Sequence, residues 1–126
     1  MPMPEHLRPL VTKLLEASDD GRVLWQEGKA EDRFRVTLQS STILLRSAYS
    51  RDAQEWFFEI EILNSQGKIA ESWTEYEGGA DYKMFERLYA SARRKARDVD
   101  RALDEIKKQL ESGGQIGSAP EGDIPF

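Results

Sequence analysis

Cysteine is absent from the 126 residues, and histidine occurs once, as His6. The first absence excludes a disulfide framework, a thiolate metal site and a thiol nucleophile. It fits a reducing compartment, so the expectation is a cytoplasmic protein. The second leaves a histidine metal site or a Ser–His–Asp set without its usual residues, and His6 reads as a surface residue of the first turn. No apolar run approaches the ~20 residues that span a bilayer. The opening MPMPEHLRPL lacks the charged-then-apolar order of a secretory leader. Glycine-rich phosphate loops and clusters of polar residues at strand ends are lacking too. No cofactor is expected, and the expected class is non-enzymatic.

What is present is charge and a moderate apolar fraction. Charged residues make up 33% of the chain and hydrophobic residues 39%, with a formal net charge of −5. That suits one globular domain with its own core. The net field repels duplex nucleic acid unless a local basic patch overrides it.

The segment PEHLRPLVTKLLEASDDG predicts a short helix. Leu7, Leu10, Val11, Leu14 and Leu15 recur at steps of three and four, Pro9 sits where a missing N–H costs little, and Gly21 marks the stop. Strand-like runs follow: a short VLW at Val23–Trp25, FRVTL at Phe34–Leu38, TILLR from Thr42, WFFEIEIL at Trp56–Leu63 and KIAESW before Gly78-Gly79. In the strongest of these, Trp56, Phe58, Ile60 and Ile62 share one face, which predicts their burial. NSQG, Asn64 to Gly67, has hairpin length. Short turns demand antiparallel neighbours, since parallel pairs need long crossovers.

A long helix is expected from about Asp81 to Glu111. Phe85, Tyr89, Ala92, Ala96, Val99, Leu103, Ile106 and Leu110 are spaced four and three apart in alternation, a sustained heptad. The stripe fits two arrangements: a face lying on the sheet, or C-terminal turns that overhang it and meet a partner helix, such as that of a second copy. The predicted fold is therefore α+β: an N-terminal helix, a four- to five-stranded antiparallel meander and a long C-terminal helix in two layers. Residues 1–112 form the domain, and 113–126 a flexible tail rich in Gly, Ser and Pro.

Three constellations invite chemistry. Glu59 and Glu61 are neighbours on one strand face, a carboxylate pair such as glycoside hydrolysis uses; opposite Arg33, Arg35 and Arg46 they also read as a solvated, charge-balanced sheet face. Arg93, Arg94, Lys95, Arg97 and Arg101 form a basic run that suits phosphates, while Asp98, Asp100, Asp104 and Glu105 lie where they can pair with it along the helix. The aromatics Trp25, Trp56, Phe57, Phe58, Trp73 and Tyr76 suggest a stacking platform, but the strand alternation leaves only Phe57 on the charged face. An acidic surface or long helix that masks a partner, as in a small inhibitor or immunity-type protein, is a further reading.

The end of the chain, EGDIPF, sets Ile124, Pro125 and Phe126 beside Glu121 and Asp123. A ring and a carboxylate presented by a stiff proline suit a short-peptide pocket with a basic clamp. After a Gly/Pro/Gln-rich linker, this ending resembles the docking tail of bacterial single-stranded DNA-binding proteins, whose tip recruits replication, recombination and repair proteins. The resemblance covers about the last 14 residues and implies that Phe126 fills a hydrophobic pocket with its carboxylate held by a basic residue. Pro125 and Ile124 would pack beside it and Asp123 would meet the basic rim. Gly122 interrupts the run of acids usual in that family, which weakens electrostatic steering, and the body lacks that family's barrel. The body resembles small bacterial α+β proteins, a likeness that carries no activity.

Overall fold

The computed structural model describes residues 3–29 and 32–113. Its elements run α1 (Arg8–Asp19), β1 (Gln26–Glu27), β2 (Arg33–Thr37), β3 (Thr42–Ser50), β4 (Glu55–Leu63), β5 (Ile69–Tyr76), α2 (Tyr82–Ala96) and α3 (Val99–Glu111). The five strands lie in sequence order, each antiparallel to the next. The expected α+β meander with helices on one face is the observed fold.

Local chemistry explains most boundaries. Gly21 adopts φ +77°, and the chain leaves α1 through Arg22 N–H to Ala17 O (2.9 Å) and Gly21 N–H to Ser18 O (3.0 Å). These two bonds satisfy the last carbonyls of the helix, and glycine accepts the left-handed turn without strain. In the β4–β5 hairpin the Asn64 side-chain oxygen accepts from the Gln66 and Lys68 backbone N–H groups at 2.9 and 3.1 Å. The run Val23–Trp25 is not a strand. Trp25 instead turns inward, and its Nε1–H donates to Ser18 Oγ at 2.8 Å, and the first strand begins only after it, at Gln26.

Phe34, Val36, Ile43, Leu45, Phe58 and Ile60 from the sheet meet Val11, Leu14 and Leu15 of α1 and Phe85, Leu88 and Ala92 of α2 in one core. Tyr89 packs its ring 5.2 Å from Phe34 and 5.3 Å from Phe58, and burial pushes its hydroxyl pKa up. Under this layer, Ser18 and Ser91 hydroxyls lie 2.6 Å apart and join α1 to α2. At the start of α2, Arg8 grips the Asp81 carboxylate with both guanidinium nitrogens, which raises the arginine pKa chiefly through that hydrogen bond. Buried Glu75 accepts from Trp73 Nε1–H (2.7 Å) and the Asp81 backbone N–H (3.2 Å).

The span expected as one helix is divided. Asp98 stands at φ +53°, ψ +41°, between α2 and α3. Aspartate tolerates this left-handed geometry better than most residues, and the run Asp98-Val99-Asp100 consists of weak helix formers. At 1.5 Å per residue, α2 is ~22 Å long, close to the breadth of five strands ~4.8 Å apart. The break thus falls where the sheet beneath the helix ends.

Candidate functional site

Beyond the break, α3 touches no other element than α2 among the described residues. Its whole length is solvent-exposed from Arg101 on. Leu103, Ile106 and Leu110 keep 54%, 56% and 54% of their surface exposed, although the spacing puts them on one side. Their helix is held internally by ion pairs around its polar side: Arg101–Asp98 (3.7 Å), Arg101–Glu105 (3.3 Å) and Lys108–Asp104 (3.1 Å). Such exposed pairs contribute ~0.3–0.5 kcal/mol each. A helix of 13 residues is marginal in water on its own, so an uncovered apolar stripe on it is a surface in want of a partner. The sequence expectation that the C-terminal turns overhang the sheet agrees with this placement.

The residues expected to dock, Glu121, Asp123, Ile124, Pro125 and Phe126, and all of the expected tail past Gly113 lie outside the described residues. Gly113, the last described residue, lies two residues past the end of α3.

The basic run does not form one patch. Arg97 Nε–H donates to Glu27 Oε1 at 2.7 Å and its guanidinium lies 5.6 Å from the Phe34 ring centre, so it ties α2 to β1. Arg101 stands past the break, beside Asp98 and Glu105. Arg94 and Lys95 line an open cleft with Asp19 and Arg87 between the two helices. Arg93 remains on the exposed side of α2.

On the outer sheet face, the strand register places Arg33, Arg46, Glu59 and Thr74 in one row across four strands, and Arg35, Leu44, Glu61 and Ser72 in the next. Arg46 Nε–H donates to Glu59 Oε1 at 2.6 Å, and Thr74 donates to Glu59 Oε2 at 3.3 Å. The pairing expected across these strands is realised for Arg46 and Glu59. A groove of about 200 Å³ opens beside them, lined by Lys29, Arg33, Arg35, Leu44 and Glu61. Phe57 is half-buried rather than bare: the Arg46 guanidinium covers it at 5.2 Å and Tyr76 leans on it at 5.6 Å.

Trp56 corrects the sequence reading. Strand alternation places it on the core side, yet it is 51% exposed. The cause is tertiary: Tyr82, the first residue of α2, packs on Phe58 at 5.0 Å, so the helical layer stops one pleat short of Trp56. Trp56 meets Tyr49 edge to face at 5.5 Å at the hairpin end. Tyr49 was missed as a surface feature because Ser47–Ser50 carries little strand signal; only its pairing with β4 extends β3 that far.

No three His, Cys, Asp or Glu side chains among the described residues are grouped to hold a metal ion. No helix among them is long and apolar enough to cross a membrane. In comparisons with known proteins, no family model, no curated protein and no solved structure matches this chain.

Proposed function

We propose that this is a non-enzymatic, cytoplasmic interaction protein whose C-terminal tip docks on bacterial replication, recombination and repair proteins that recognise the tails of single-stranded DNA-binding proteins. The observation that carries the reading is the sequence Asp123-Ile124-Pro125-Phe126 behind a Gly/Ser/Pro-rich segment. Its support from the fold is the position of Gly113, two residues past the end of a helix that makes no contact with the sheet. Phe126 fills the partner's apolar pocket, its carboxylate meets a basic side chain, Pro125 limits the entropy lost on ordering, and Asp123 and Glu121 face the basic rim.

The test uses a fluorescent peptide of residues 113–126 and an exonuclease or helicase that binds such tails. The peptide with a free Phe126 carboxylate should bind and be displaced by the tail peptide of a single-stranded DNA-binding protein. Amidating that carboxylate or removing Pro125-Phe126 should weaken binding by tenfold or more, at ~1.4 kcal/mol per decade. Binding that is indifferent to both changes sinks the reading.

A further inference from the structure

We infer that α3 is a self-docking helix: two copies of the chain pack antiparallel along the stripe of Val99, Leu103, Ile106 and Leu110. Three observations point to a second copy rather than to any other occupant. First, the stripe is a narrow 4-3-4 seam, the geometry by which helices meet helices, whereas sheet-packing faces are broader. The broader kind is seen on α2, where Phe85, Leu88, Ser91 and Ala92 are all buried and Tyr89 packs against the core beside them. Second, antiparallel pairing of this seam is self-complementary in register: Leu103 of each copy stacks on Ile106 of the other, and Val99 on Leu110. Third, position 100 and Lys107 lie one heptad apart on the same flank of the seam, an acid and a base. In an antiparallel pair that flank faces its own copy, so position 100 of each copy stands opposite position 107 of the other, two symmetric acid–base placements in all, while a parallel pair sets no such opposites together.

The stripe is short, and the area it hides falls toward the low end for specific interfaces, below ~1,200 Å². The dimer is therefore a weak one, with a dissociation constant above about 1 µM. Its geometry sets the C-terminal ends of the two α3 helices at opposite ends of a helix pair ~20 Å long. The inference does not rest on the reading of residues 121–126, and removing Phe126 should leave the dimer intact.

Sedimentation equilibrium on the full chain, up to about 1 mM so that a constant of that order still registers, should show the mass rising from monomer toward dimer. Leu103→Asp with Ile106→Asp should abolish the rise. Both positions are exposed in the monomer, and an unchanged near-ultraviolet signal from Trp25 and Trp73 verifies that the core survives. Asp100→Lys or Lys107→Asp alone should weaken dimerisation about fivefold, because two symmetric pairs become repulsive, and the double swap should restore it. A chain that stays monomeric throughout overturns the inference. So does a dimer untouched by the double aspartate variant, or one that the charge swap fails to restore. A monomer in which removing residues 114–126 lowers the helicity of α3 would put that segment on the stripe, and that too overturns it.

Discussion

The helices α2 and α3 continue one heptad pattern, and they have opposite fates. Phe85 and Ala92 of α2 are inaccessible to solvent, while Leu103, Ile106 and Leu110 of α3 stand more than half exposed. The pattern is a statement about a face, and it says only that the face will be covered. What covers it is decided by the breadth of the sheet, which ends about where Asp98 turns the chain. Past that point the molecule has nothing of its own, among the described residues, to offer an apolar stripe.

Truncation should show the largest difference. Phe85→Ala empties a fully buried site in the core that also holds Phe34 and Phe58 and should cost ~3–5 kcal/mol in denaturant unfolding. Leu103→Ala, measured at low concentration where the chain is monomeric, should stay within ~0.5 kcal/mol. Equal losses would break the contrast, because they would mean that α3 is packed in the monomer after all.

A polar change in the buried layer comes next. Ser18→Ala leaves the Trp25 indole N–H and the Ser91 hydroxyl without their buried partner. A loss of ~1–3 kcal/mol is expected by thermal or denaturant unfolding. A neutral result would show that these groups reach water, and would sharpen the picture of how tightly α1 closes on α2.

The smallest effect belongs to the surface link between the N-terminal segment and β5, where His6 Nε2 lies 2.6 Å from Glu71 Oε2. That hydrogen bond holds the Glu71 carboxyl below its ordinary range. A depressed folded-state pKa contributes stability above the unfolded value of ~4.3 and loses it as the pH falls through the folded one. Glu71→Gln should therefore lower the melting temperature slightly at pH 6, and the gap to the parent should close as the pH falls below about 4. A gap that widens in acid would contradict the assignment.

Much of the fold was legible because its signals are local. Gly21 closes α1 through the left-handed turn that glycine allows, NSQG makes its hairpin, and the period-two run of β4 put Phe58 and Ile60 inside. Trp56 obeys the same alternation and is nevertheless exposed, since alternation names a side of the sheet but not how far the helical layer extends over it. Leu88 lies off the heptad stripe and is fully buried, because a helix on a sheet buries a wider face than a helix on a helix. The candidate surfaces divide in the same way. The exposed stripe of α3 is one of the two arrangements that its length and spacing allow, whereas the basic run from Arg93 to Arg101 looked continuous until Arg97 turned to Glu27 and Asp98 bent the chain.

By itself, then, the sequence determined most of the helices and strands and the antiparallel order of the sheet. These depend on neighbours a few positions apart, whose sterics and periodicity act before any tertiary contact forms. Only the tertiary structure decided which apolar residues are covered, where the long helix breaks, and which charges are already engaged. Those outcomes depend on where one layer ends over another, a distance set by several elements together.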